Sequence, residues 1–300
     1  MARDASRAKR EREEIAVHQL VVASDLALDP DVAFERGCEI AAANCADLHV
    51  LRLRDHHRRG SPSAPSSQVL AEDVGRRFPC IGSVSFSEPM PPHAGAIVSK
   101  AEMLGADLIV MRNAIDSDQI DDRPFDLIVK VAREGSIPVL AVQAEATGPY
   151  KRLLALLDEE EDAQRVLDLA LQIRSANEVY AVHACPKRST VEYLGAAMEA
   201  LKQVIAETLA KRTDVATPVK PIVRRGDLAS VLIEQWSALH PDLIVAATHR
   251  HRGLEAIFRR SHVADLLEIM PFDLLVTNLE AADRVAPTNP KADRQRRPPA

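Results

Sequence analysis

Aromatic residues are scarce in this chain. One Trp, three Tyr and six Phe stand among 300 residues, so the core has to be aliphatic and Ala-rich. Hydrophobic residues at 46% suffice to build it, in one large domain or two of ordinary size. Long apolar runs are missing too. None approaches the roughly 20 residues that span a bilayer. The opening MARDASRAKREREE is charged throughout and has no apolar stretch of the signal-peptide kind. A cytoplasmic protein without a membrane partner is expected. Cysteine is limited to Cys38, Cys45, Cys80 and Cys185, and no two form a C-x-x-C pair. Free thiols are expected rather than a disulfide or a zinc site. Cys38 and Cys45, seven apart, are expected on one face of a helix. Positive charge is not in excess: the net charge is −6 and the pI near 6.0. That excludes a general nucleic-acid binder, which needs a basic face for phosphates. The basic runs RAKRER and DRQRRPPA sit at the two ends and read as solvated tails.

What is present is a pattern used twice. HQLVVASD ends at Asp25 and YKRLLALLD at Asp158. Each apolar run is closed by an acid and followed by an Ala/Leu helix, DVAFERGCEIAAANCA or DAQRVLDLALQIRSA. Each helix leads to a second strand, DLHVLRL or EVYAVHA. GADLIV (105–110) matches HPDLIV (240–245), and IPVLAVQ matches FDLLVTN. From Asp107/Asp242 to Pro138/Asp273 the offset is a constant 135 residues, and for Asp25/Asp158 it is 133. This predicts an internal duplication of a domain-sized unit. Strands alternating with helices predict a mostly parallel sheet, covered on both faces. The expected domains are 15–146 and 149–280, with Gly148-Pro149 as the turn between them. Residues 1–14 form a charged arm and 281–300 a disordered tail. RRGSPSAPSSQ (58–68) reads as a flexible loop. Its counterpart KRSTVEYLGAAMEALKQVIAETLAKR reads as a long helix capped by Ser189 or Thr190.

Both units resemble the universal stress protein domain, and the whole chain resembles a tandem universal stress protein. The resemblance rests on the strands ending in Asp25 and Asp158, the Ala-rich helix, and RRGDLASVLIEQWSALHPDLIVAATHRHRGL with RRSHVADLLEIMPFDLLVTN. It covers about 260 residues and is stronger in the second unit. It implies two doubly wound α/β domains of the adenine nucleotide alpha-hydrolase-like (HUP) type, each a five-stranded parallel sheet with helices on both faces. It also implies an intrachain pseudo-dimer, paired through the last strands VLAVQ and LLVTN, and admits a further homodimer.

ATP-binding members of that family carry G-x-x-G-x9-G-[ST] after the fourth strand. Glycines let backbone N–H groups approach phosphate, and a helix N-terminus adds partial positive charge. In the second unit the three glycine positions hold Ala247, Arg250 and Arg260, and the hydroxyl position holds Ser261, with His262 beside it. Thr248 and His249 fill the family's frequent TH, and Asp158 keeps the acid. In the first unit the glycine positions hold Arg112, Ile115 and Phe125, and the hydroxyl position holds Asp126. Only Asp25 survives there. Asp116, Asp118, Asp121 and Asp122 crowd that loop, so a polyphosphate would meet like charge.

Three readings of AATHRHRGLEAIFRRS (246–261) compete. Arg250, Arg259 and Arg260 replace glycine contacts with guanidinium contacts, and an adenine nucleotide such as ATP still binds. Or the site is closed and the arginines face solvent or acidic neighbours. Or they bind an unknown protein partner or another anion. His240, His249, His251 and His262 have no carboxylate or Cys at a ligand-like spacing, so no metal site is expected, and His56 and His57 read the same way. The acids of DEEEDAQ (158–164) suit a helix start. Trp236 and Met198 are expected in the core. There is no G-x-S-x-G elbow, no Walker loop and no nucleophile with an assignable base. The expected function is therefore non-enzymatic: stress adaptation through binding, with a degenerate nucleotide site and no certain cofactor. A nucleotide-binding protein using Asp158, Arg250, Arg260 and Ser261 is the alternative, and an ATP-cleaving enzyme ranks below both.

Overall fold

The computed structural model describes residues 17–26, 31–54, 66–112, 124–143, 148–157, 160–173, 176–212, 217–248 and 272–278. In the first half these form β1 (Gln19–Ser24), α1 (Val32–Asn44), β2 (Asp47–Arg52), α2 (Ser67–Arg77) and β3 (Val84–Phe86). They continue with α3 (Ala94–Met103), β4 (Leu108–Arg112), α4 (Pro124–Glu134) and β5 (Val139–Val142). The second half contributes β6 (Arg152–Leu157), α5 (Glu160–Leu171), β7 (Glu178–Cys185) and α6 (Val191–Ala210). After these come β8 (Val219–Arg225), α7 (Leu228–Leu239), β9 (Leu243–Thr248) and β10 (Asp273–Asn278). The arm 1–14, the tail 281–300, the pair His56–His57 and the loop 249–262 lie outside the described residues.

The strands form one sheet in the order β3-β2-β1-β4-β5-β10-β9-β6-β7-β8. Read outward-in, each half has the same strand order. Every neighbouring pair is parallel except β5 and β10, which run antiparallel. Leu140 faces Leu275 there. At the 135-residue offset these two are each other's counterparts, so the pairing has a local two-fold axis through them.

Alternation along the strands explains the layers. Leu20 and Val22 point to the face covered by α1, α5 and α6. Val21 and Ala23 point to the face covered by α3, α4 and α7. Both cores run across the two halves and are dominated by Val, Leu, Ile and Ala, as the shortage of aromatics requires. Trp236 and Met198 are partly buried against them. Helix α1 lies so close on β1 that a Cβ at Gly37 would fall 2.3 Å from Val22 Cγ2.

Two local expectations are corrected. Cys45 does not share a helix face with Cys38: it closes α1 in the left-handed conformation and is exposed, while Cys38 is buried. The stretch 58–68 is not loop to its end, because Ser66 caps α2 by accepting the Val69 N–H at 3.3 Å. Thr190 caps α6, its hydroxyl oxygen accepting the Tyr193 N–H at 3.2 Å.

Candidate functional site

In an open parallel sheet, ligands sit beyond the carboxyl ends of the strands, where the chain reverses its winding direction. With β1 central, that point lies between β1 and β4 in the first half and between β6 and β9 in the second. The ends of these strands carry Asp25, Arg112, Ala247 and Thr248, four of the residues singled out in the sequence.

The first-half end is filled by its own chain. The Ser24 hydroxyl donates to Asp31 Oδ2 and accepts the Leu26 N–H at 3.0 Å. Asp31 Oδ1 accepts the Phe34 N–H at 2.8 Å and so caps α1. Burial raises the Asp31 carboxyl above its ordinary range, against the pull of these hydrogen bonds. Leu26 adopts φ +55° and drops its side chain into the core beside α1. Asp25 is exposed and Arg112 half-buried at the rim. Phe125 and Asp126 start α4, and Ile115 lies outside the described residues. A phosphate chain entering here would meet Asp25 and Asp31 and would find a leucine in its floor.

The second-half end is described only in part. Ala247 packs against the core on the α5 side, so its methyl group already occupies space that a glycine would leave open. Thr248 ends β9. Asp158, Arg250, Arg260, Ser261 and His262 lie outside the described residues. His183, at the end of β7, was missed by sequence reasoning. Its Nδ1 lies 2.9 Å from the Leu157 carbonyl oxygen, which can only accept. Nδ1 therefore donates to it, and Nε2 is the ring nitrogen left beside the end of β6.

A third cluster joins the halves, and it too was missed. Arg36 on α1 is buried and lies 3.5 Å from Asp273 Oδ2 on β10. Its guanidinium stacks 4.5 Å over the Tyr150 ring and donates to the Gly148 carbonyl at 2.8 Å and to Glu39 at 3.0 Å. The Tyr150 hydroxyl donates to Asp273 Oδ2, and the Gln143 N–H donates to Asp273 Oδ1 at 2.9 Å. Burial, then the Asp273 charge, holds the Tyr150 phenol well above its ordinary value. The available signal was an arginine breaking the apolar face of an Ala-rich helix.

Among the described residues no group of three or more His, Cys, Asp or Glu could hold a metal ion, and no helix is long and apolar enough to cross a membrane.

Comparison with known proteins places this geometry. Residues 149–278 match the model of the universal stress protein family. No curated protein matches the chain. Among solved structures, a protein of unknown function from Pseudomonas aeruginosa PAO1 superposes with a TM-score of 0.61 at 19% identity, over 88% of this chain and 93% of that one. A putative universal stress protein from Pseudomonas aeruginosa UCBPP-PA14 gives 0.59 at 20% identity, over 88% and 94%. A universal stress protein from Archaeoglobus fulgidus DSM 4304 gives 0.61 at 12% identity, over 87% and 96%. At these identities the likeness is one of fold, and it extends over both halves.

Proposed function

We propose that the chain is a tandem protein of the universal stress type that acts in stress adaptation by binding, not by catalysis. The observation that carries this reading is the family-model match over 149–278. The mirrored strand order supports a second such unit over 15–146 and a pseudo-dimer within one chain. The first unit is structural on this reading. Its strand ends are filled by Leu26 and lined by Asp25 and Asp31. The second unit is the one to carry a ligand, and its glycine-depleted loop argues against a conventional ATP site. The protein works in the cytoplasm, and its binding partner is a protein.

A second reading keeps a nucleotide in the second unit, with Arg250, Arg260 and Ser261 on the phosphates and Asp158 on the sugar. His183 favours it, because with Nδ1 held by the Leu157 carbonyl its Nε2 is the ring nitrogen left for a polar contact with a base near the end of β7. Isothermal titration of the full chain with magnesium-ATP, with AMP as control, separates the two. No heat supports a protein partner and a disabled loop. Micromolar binding at one site per chain establishes the nucleotide reading instead. Arg260→Ala should then weaken affinity roughly tenfold or more, the loss of a charge-assisted contact.

A further inference from the structure

The junction cluster is not repeated by the duplication. By strand register and the offsets above, the counterpart of Arg36 is Leu169, that of Tyr150 is Val17, and that of Asp273 is Pro138. Leu169 and Val17 are buried and apolar. One of the two symmetry-related positions beside the β5–β10 pair therefore holds a cation, a carboxylate and a phenol. The other holds a leucine, a valine and a proline. Yet the strands meet in self-complementary register, Leu140 on Leu275. Backbone pairing alone would let either last strand pair with a second copy of itself.

We infer that Arg36, Tyr150 and Asp273 are the specificity device of this interface. They admit the first half only against the second half and reject a like half from another chain. Two second halves joined through β10 would bury two Asp273 carboxylates, each facing Leu169 where Arg36 should stand. Two first halves joined through β5 would bury two Arg36 guanidinium groups against Val17 and Pro138. A buried charge stripped of its partner is strongly destabilising, while the matched pair costs little. Glu39 stays beside Arg36 in any pairing, but only the arrangement found here brings the two buried charges together, with Arg36 Nε 3.5 Å from Asp273 Oδ2 as an ion pair and not a hydrogen bond. Asp273 is 2% exposed and Arg36 5%, so water cannot substitute for the missing partner. Arg36 also holds the Gly148 carbonyl, so the same side chain ties down the connection entering the second half.

The test uses the full chain, with a specific protease site placed within 144–147 and cut after folding. Native mass spectrometry then reads which halves remain together at micromolar concentration. The cut wild type should give only one-to-one pairs of first and second halves. The cut Arg36→Leu/Asp273→Asn double variant, in which neither charge remains, should scramble into like pairs as well. Like pairs in the cut wild type, strict one-to-one pairing in the cut double variant, or separation of the cut wild type into single halves would each overturn the inference. A measurement on uncut protein guards against a poorly folding variant. Unfolding midpoints of Arg36→Leu, Asp273→Asn and the double should show the double losing clearly less than the sum of the singles. Additive losses would overturn the inference as well.

Discussion

The two halves agree at the amino ends of their strands and differ at the outer strands and at the junction between them. In the first half Asp107 Oδ2 accepts the N–H groups of His18 and Gln19 at 2.7 and 2.9 Å. In the second, Asp242 Oδ2 accepts those of Lys151 and Arg152 at 2.9 and 2.8 Å. The same two orphan donors of an entering strand are satisfied by the same residue type. Across β2 and β3, by contrast, His49 sits opposite Ser85, while at the same register in β7 and β8 Tyr180 sits opposite Lys220. At the junction the counterpart of a buried arginine is a leucine. Backbone groups have few ways to be paired, and both halves use the same one here. Side-chain positions have many solutions, and there the two halves differ.

The largest effect should come from the feature the halves share. Asp107→Ala and Asp242→Ala each remove two hydrogen bonds to a carboxylate. Each should cost about 2 kcal/mol, the lower part of the range for charged acceptors because both sites are partly open to water. Denaturant unfolding of the two variants checks this. Nearly equal losses would confirm that the two aspartates do the same work. A loss at one position and none at the other would break the equivalence.

A smaller effect should distinguish the halves by pH. His49 is buried with its Nδ1 2.6 Å from Ser85 Oγ, and its Nε2 has no partner. Burial and the charge of Lys100 push the imidazole below its ordinary value of 6.5. The unfolded chain then takes up a proton near pH 6.5 that the folded chain refuses. Stability owed to His49 is therefore complete above that pH and falls as the pH drops below it, until the folded group titrates as well. The first half should thus lose stability between pH 7.5 and 5.5 in a way that His49→Gln abolishes, whereas Tyr180→Phe in the second half should leave the pH dependence unchanged. Urea unfolding at both pH values reads it. An unaltered pH slope in His49→Gln would remove His49 from the account.

Much of the fold was legible because it follows from patterns that repeat. Short apolar runs at a constant offset announce buried parallel strands, and Thr190 ahead of a long amphipathic run announces a capped helix. The sites were less legible. Asp25 and Arg112 are found at strand ends, where a nucleotide-fold reading puts them, but nothing in the local sequence says that Leu26 turns inward at positive φ. That turn depends on Ser24 and Asp31 closing over it, seven residues apart. The Arg36 cluster is harder still, since Arg36 reaches Gly148 across 112 residues and Tyr150 reaches Asp273 across 123. Helical periodicity shows an arginine on an apolar face. Only the antiparallel pairing of β5 with β10 shows what it meets.

The smallest expected effect concerns one residue at equivalent helix ends. Helix α3 is followed by Gly105 at φ +65°, and α7 by His240, its counterpart at the 135-residue offset, at φ +46°. Glycine adopts this conformation freely, whereas a residue with a Cβ pays about 1 kcal/mol for it. The second half has a further handicap. Ala106 donates its N–H back to Ala101 at 3.0 Å, but the residue after His240 is Pro241, which has no N–H to donate. A proline also disfavours helical dihedrals in the residue before it. Against this, the His240 ring packs edge-on to Trp236 at 6.1 Å between centroids, and its N–H reaches the Trp236 carbonyl at 2.8 Å. His240→Gly keeps the backbone bond, removes the strain and loses the ring contact. The balance should be a gain of about 0.5 kcal/mol, read as a Tm about 1–2 °C higher. Gly105→His makes the reverse change without a tryptophan to receive the ring, and should cost about 1 kcal/mol. If His240→Gly instead lowers the Tm, the Trp236 contact outweighs the strain. The histidine would then be a packing residue that replaced the glycine, and not a tolerated departure from it.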